Sequence, residues 1–122
     1  MIVGIGIDMV ENKRIEEACL KEAFVRRSFT DKEQELIRMT PEKASGNFAV
    51  KEAVSKAFGT GFRQMRLQDI EVLRDEYGKP YVNLFNNALA KAQELSITNL
   101  QVSISNVKEY TIAYVIAESI GV

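Results

Sequence analysis

Apolar and polar positions alternate with a period of two at the start of the chain. Val3, Ile5 and Ile7 fall on one side and Gly4, Gly6 and Asp8 on the other, which predicts a β-strand over residues 2 to 8. Asp8 therefore projects on the side that the glycines leave bare. The period then lengthens: Ile15, Ala18, Cys19, Ala23 and Phe24 recur at helical spacing and predict one helix from about Glu11 to Arg27. Thr30-Asp31-Lys32-Glu33 has the form of a capping box and starts a short helix through Ile37. Thr40-Pro41 starts another, since proline at the first helical position forfeits no hydrogen bond, and this helix lasts until Gly59. Leu67 to Leu73 and Tyr81 to Leu84, joined by Asp75-Glu76-Tyr77-Gly78-Lys79-Pro80, read as a hairpin. Asn87 to Glu94 reads as a helix with Ala88, Leu89, Ala92 and Leu95 inward. Leu100 to Ser105 and Thr111 to Ala117 read as a second hairpin. The class is α+β. No repeat and no Pro-, Gly- or Ser-rich linker divides the chain, so residues 1–122 read as one domain.

Composition narrows the chemistry. A chain of 122 residues can bury one core but is short enough that an interface is expected to complete it, so an oligomer is predicted. With 16 basic and 17 acidic residues the formal charge is −1, and no global field marks a nucleic-acid or membrane-surface binder. The lone Cys19 excludes an internal disulfide and a cysteine-based zinc site and suits a reducing compartment. The start lacks the pattern of a signal peptide and no long apolar run follows, so the expected location is the cytoplasm, with no membrane. The sequence has no histidine. Proton transfer must then use a carboxylate, a lysine, a bound water or the substrate itself.

Three residues stand out. Glu52 and Lys56 lie four apart on one helical face, with Phe48 one turn before and Gly59 about one turn after. Such a pair is commonly a plain surface ion pair. Here it sits among Ala49, Ala53, Val54, Ala57 and Phe58 on the most apolar helix of the chain, where charges tend to line a cleft. A hard cation such as Mg²⁺ takes one or two carboxylates and completes its shell with phosphates and water; Asp8 and Glu52 could supply that pair, and Lys56 could bind a phosphate oxygen. Sequence order alone does not bring residue 8 to residue 52. Gly59-Thr60-Gly61 follows its helix instead of preceding one, so it reads as a C-cap and not as a phosphate loop. Arg14, Ala18, Lys21 and Val25 share a stripe of the first helix, a mixed basic and apolar face suited either to solvent or to an acidic partner helix.

The combination resembles a known family. Ile5-Gly6-Ile7-Asp8 with Arg14-Ile15, then Phe48-Ala49-x-Lys51-Glu52-Ala53-x-Ser55-Lys56-Ala57-x-Gly59-Thr60-Gly61, Ile70-Glu71-Val72 before Gly78-Lys79-Pro80, and Val102-Ser103-Ile104-Ser105 before Tyr110 are similar to the holo-acyl-carrier-protein synthases nearly end to end. The resemblance implies the 4′-phosphopantetheinyl transferase fold, with helices on a small mainly antiparallel sheet, and a homotrimer with sites between subunits. It implies Mg²⁺-dependent transfer of 4′-phosphopantetheine from coenzyme A to a serine of apo acyl carrier protein, releasing adenosine 3′,5′-bisphosphate. Asp8 and Glu52 would be metal ligands and Lys56 would contact phosphates. Ser55, Gly59 and Gly61 would line the same site, and Gly78, Lys79, Pro80, Ser105 and Asn106 would lie near the nucleotide. Arg14 and Lys21 would face the acidic carrier. The serine proton would go to Glu52 or to a water on the metal.

The pattern departs from the family at Asn106, where histidine is usual, and at Asn47, where a basic or large residue is common. Both changes are expected to weaken binding of a coenzyme A phosphate. A rival reading follows: a divergent relative that binds coenzyme A or carrier protein without transferring the group. A third is a simple α+β oligomerisation module that binds no coenzyme A.

Overall fold

The computed structural model describes residues 1–120. Helix α4 (Lys43–Ala57) is the element on which the others are laid. Small residues at Ala49, Ala53 and Ala57 recur every fourth position along it, giving it a smooth stripe. Strand β1 (Ile2–Glu11) lies on that stripe through Gly4 and Gly6. A Cβ built on Gly6 would stand 1.8 Å from the Ala53 carbonyl oxygen, and one on Gly4 2.0 Å from that of Ala57. Strand and helix backbones therefore touch directly, a contact that any other residue would prevent.

β1 pairs antiparallel with β5 (Tyr110–Glu118), which pairs antiparallel with β4 (Asn99–Asn106), giving the order β1-β5-β4. A separate two-stranded sheet joins β2 (Ile70–Arg74) to β3 (Pro80–Leu84). β5 turns Ala113, Val115 and Ala117 inward against Ala49, Val50, Ala53 and Val54 of α4, with Ile70, Val72 and residues Ala88 and Ala92 of α5 (Asn86–Glu94) completing the core. The opposite face of the larger sheet is apolar too, yet faces outward: Val3, Ile5, Ile7 and Met9 are 39–59% exposed, and Ile112 and Tyr114 stand beside them.

Both hairpins form as expected. The predicted helix over residues 11 to 27 does not. β1 continues to Glu11, and the helical segment divides into α1 (Asn12–Ala18) and α2 (Glu22–Ser28), with Lys21 extended between them. Ile15 packs with Phe29, Ile37 and Ala44 in a second cluster that Phe24, Val25 and Phe48 border. A straight helix of that length would span about 25 Å, too long to keep both ends on so small a cluster. The break leaves Ala23 exposed and interrupts the stripe from Arg14 to Lys21. Leu89 also turns outward, 42% exposed. α4 begins two residues beyond Pro41, after a tight turn in which the Lys43 and Ala44 amides donate to Thr40 and Pro41.

α3 (Asp31–Met39) starts at the expected capping box, with Thr30 as cap. Its Glu33 has a second role that local sequence did not announce. The carboxylate is fully buried and accepts from the Thr30 and Val72 amides, from Lys51 Nζ at 2.7 Å and from Asn47 Nδ2 at 3.0 Å. Lys51 also donates to the carbonyls of Leu67 and Ile70. Burial pushes the Glu33 carboxyl up and the Lys51 ammonium down, and each charge holds the other ionised. This ion pair ties α3, α4 and β2 together.

Candidate active site

Because β1 lies flat on α4, Asp8 comes to the side chains one turn further along the strand's path over the helix. Asp8, Arg14, Phe48, Glu52 and Lys56 line one cavity of about 530 Å³. Lys56 Nζ donates to Asp8 Oδ1 at 2.9 Å and to the Ile7 carbonyl at 3.1 Å. Lys56 thus pairs across elements with Asp8, and not with Glu52 on its own helix. Glu52 is half-buried. Burial, and next the charge of Asp8, push its carboxyl up, while Lys56 and Arg14 pull it back down.

Two carboxylates meet here, and no cluster of three or more His, Cys, Asp or Glu occurs among the described residues. That donor set fits a hard divalent ion that keeps open positions for water and phosphate oxygens, and does not fit a closed structural site. The Asp8 charge adds to burial in raising the Glu52 carboxyl, and a divalent cation would relieve the repulsion between the two carboxylates.

The remaining expected residues separate into two groups. Ser55 is buried, and its hydroxyl donates to the Glu52 carbonyl at 2.7 Å, so it braces the helix at Glu52 and does not line the Asp8–Glu52–Lys56 cavity. Gly59 and Gly61 have φ of 76° and 60° and close the end of α4 as a C-cap. Gly78, Pro80 and Asn106 instead line a different cavity of about 600 Å³, whose walls also carry Lys43, Arg74 and Lys108. Lys79 and Ser105 flank that cavity in sequence without lining it. Asp75 shapes its rim by accepting from the Tyr77 and Lys79 amides at the hairpin turn.

Both departures from the family pattern have structural partners. Asn106 Nδ2 donates to Thr111 Oγ1, whose hydroxyl donates to Asn12 Oδ1, and Asn12 Nδ2 donates to the Val107 carbonyl. Asn47 bonds inward. It is fully buried, donates to Glu33 and to the Val72 carbonyl, and accepts from Arg74 Nη1 at 2.8 Å. Lys43 and Arg74, which the sequence did not single out, also line the cavity of Gly78, Pro80 and Asn106; the signal for Arg74 was a basic residue at a hairpin end beside the Gly78-Lys79-Pro80 turn.

Comparison with known proteins is consistent over the whole chain. Residues 4–115 match the family model of the 4′-phosphopantetheinyl transferase superfamily. The chain is 52% identical over 120 residues to a holo-[acyl-carrier-protein] synthase of Lachnoclostridium phytofermentans, covering 98% of each. It superposes on an acyl carrier protein synthase of Plasmodium yoelii with ADP bound at a TM-score of 0.85, with 31% identity and 96% and 95% of the two chains covered. It superposes on a holo-(acyl-carrier-protein) synthase of Bacillus anthracis in complex with coenzyme A (3′,5′-ADP) at a TM-score of 0.80, with 36% identity and 98% of each chain covered.

Proposed function

The chain belongs to the 4′-phosphopantetheinyl transferase superfamily and is an enzyme of the holo-[acyl-carrier-protein] synthase kind, and from that premise we propose that it carries 4′-phosphopantetheine from coenzyme A to a serine of apo acyl carrier protein in a Mg²⁺-dependent reaction. The observation that carries this reading is the convergence of Asp8, Glu52 and Lys56 on one cavity from two elements. The serine oxygen forms a bond to the β-phosphorus, the bond from that phosphorus to the bridging oxygen breaks, and adenosine 3′,5′-bisphosphate leaves.

Asp8 and Glu52 would hold the metal, which when bound would polarise the pyrophosphate. Lys56 places a positive charge where negative charge accumulates on the transferring phosphate. Arg14, close enough to lower the Glu52 carboxyl, adds a second cation to the same wall. Glu52 is the carboxylate whose acidity burial has weakened, so it is the side chain suited to receive the serine proton. Phe48 closes the apolar side of the cavity, where it packs against Phe24 with ring centroids 5.8 Å apart. Arg14 on α1 and Lys21 in the extended link before α2 serve as the contact for the acidic carrier, in place of one continuous helical face.

We assign the protein to a single domain over residues 1–122 and to the cytoplasm; no helix among the described residues is long and apolar enough to cross a membrane. We also propose a homotrimer with its sites between subunits. What supports assembly is the outward apolar face of Val3, Ile5, Ile7, Met9, Ile112 and Tyr114, a patch that calls for a covering partner.

The test is intact-mass spectrometry of an apo acyl carrier protein incubated with the enzyme, coenzyme A and Mg²⁺. One added phosphopantetheine, lost with Asp8→Ala and with a chelator, is the expected result. No mass gain on any carrier would refute the reading.

A further inference from the structure

Four ion pairs form among the described residues, and the one at the candidate active site differs from the other three. Arg26–Glu22 and Lys91–Glu94 join neighbours on one helix, and Lys51–Glu33 is enclosed on both sides. Lys56–Asp8 bridges 48 positions of the chain and is lopsided: the Asp8 side chain is 16% exposed and that of Lys56 53%. The carboxylate is fixed by strand β1, whose Gly4 and Gly6 rest against α4. The ammonium ends a flexible four-carbon stem, and its one other acceptor among the described residues is the Ile7 carbonyl at 3.1 Å. Of the two partners, Lys56 is the one able to leave.

The cavity wall carries two carboxylates, and Lys56 is the only cation within 4.0 Å of either among the described residues. Arg14 lines the same cavity without such a contact. A hard divalent ion needs the Asp8 carboxylate, and an ammonium still bonded to it would repel the incoming double charge. A metal arriving alone therefore has to expel Lys56, breaking a charge-assisted hydrogen bond with only water to replace it. A metal arriving with a diphosphate does not, because a phosphate oxygen offers Lys56 an equivalent bond. Each charge then keeps a partner: Asp8 exchanges an ammonium for the metal, and Lys56 exchanges a carboxylate for a phosphate.

We propose that Lys56 is an internal counterion of the metal site, held on Asp8 until the diphosphate of coenzyme A draws it off, so that one side chain couples the uptake of metal to the uptake of coenzyme A. The inference rests on the reading of Asp8 as a metal ligand and of coenzyme A as the substrate. By linkage, the coupling is reciprocal, and each ligand tightens the other by the same factor. The empty enzyme keeps its buried carboxylate paired, and divalent ions are taken up at full strength only together with the molecule on which they act.

The experiment counts free Mn²⁺, which accepts the same oxygen ligands as Mg²⁺, by electron paramagnetic resonance during titration of the full chain, so no turnover is read. Wild type, Lys56→Met, Lys56→Arg, Arg14→Met and Asp8→Asn are each titrated without coenzyme A and with it, after subtraction of the Mn²⁺ that coenzyme A holds by itself. Without coenzyme A, Lys56→Met should bind Mn²⁺ about tenfold more tightly than wild type, the low end of what a charge-assisted hydrogen bond contributes. Lys56→Arg keeps the charge and should stay near wild type. Arg14→Met removes a cation from the same wall without freeing Asp8 and should gain less than Lys56→Met. The factor by which coenzyme A tightens Mn²⁺ should be smaller in Lys56→Met than in wild type. Because a dissociation constant is read, an unfolded fraction lowers the number of sites and not the value. If Lys56→Met binds Mn²⁺ alone no more tightly than wild type, or no more tightly than Arg14→Met, Lys56 does not hold the site closed and the inference falls while the transferase reading stands. If Asp8→Asn binds Mn²⁺ with coenzyme A as wild type does, Asp8 is no metal ligand, and that reading falls together with the inference.

Discussion

Replacing Gly6 by alanine tests the contact on which the site depends. The added Cβ would lie 1.8 Å from the Ala53 oxygen, 2.8 Å from its carbon and 2.9 Å from the Ala57 nitrogen. A carbon resting against a carbonyl oxygen needs about 3.3 Å, so β1 and α4 must part by roughly 1.5 Å at this point. All three atoms are backbone, and no side chain can swing aside to make room. Overpacking typically costs about 1–3 kcal/mol, and a rigid backbone clash belongs at the upper end; at this chain length about 3 kcal/mol lowers Tm by on the order of 10 °C. The functional loss should be larger in proportion. Asp8 lies two residues along on the same face, and a displacement of that size breaks its 2.9 Å contact with Lys56 and separates it from Glu52. Misplacement of reacting groups by about 1 Å can cost ~100-fold in rate. Thermal unfolding followed by circular dichroism would give the first quantity. Transfer kinetics well below the variant's Tm would give the second. A Gly6→Ala protein that melts with wild type and keeps its kcat/KM within a few fold would refute the claim that backbone contact sets the geometry of the site.

Three further outcomes follow from the same physics. Lys51→Met leaves Glu33 buried without its partner and should cost about 3–5 kcal/mol in urea unfolding; Glu33→Gln in the same protein should recover part of that, and an equally unstable double variant would contradict the ion-pair account. In metal-free protein, NMR titration of Glu52 should show its carboxyl falling toward the ordinary range in Asp8→Asn, because the neighbouring charge that raised it has gone. A proton on Glu52 competes with the metal, so Mg²⁺ activation of wild type should fade on acidification sooner than an ordinary glutamate would allow; an identical titration in both proteins would sink this reasoning. Ile5→Asp, which sets a charge in the outward apolar face of β1, should convert the assembly to monomers in light scattering, and an unchanged mass would place the interface elsewhere.

What could be read beforehand divides according to how local the cause is. Capping at Thr30, the turn from Asp75 to Pro80 and the alternation of β4 and β5 depend on neighbours in sequence, and all three were legible. The division of residues 11 to 27 into two helices was not, since it answers to the size of a cluster made with Phe29 and Ile37. Glu33 announced itself as a capping residue and concealed its bond to Lys51, eighteen positions away. Asp8 and Glu52 could be named as a pair by resemblance, but only the strand-on-helix contact brings them to one cavity. The inward bonds of Asn47 to Glu33, Val72 and Arg74 were not legible, because their partners come from α3 and β2, distant in sequence.

The strand order β1-β5-β4 also sets a schedule. Among the described residues, strand β1 finds its only strand partner in residues 110 to 118, which are synthesised long after it. Pairings so distant along the chain close late, since their loop entropy is met only after local structure exists. During synthesis α3, α4 and the β2–β3 hairpin can condense around the Glu33–Lys51 pair, while the segment bearing Asp8 has no edge to join. The carboxylate pair is consequently assembled by a late step of folding, so the docking of β1 on β5 and the gain of catalytic competence are one event.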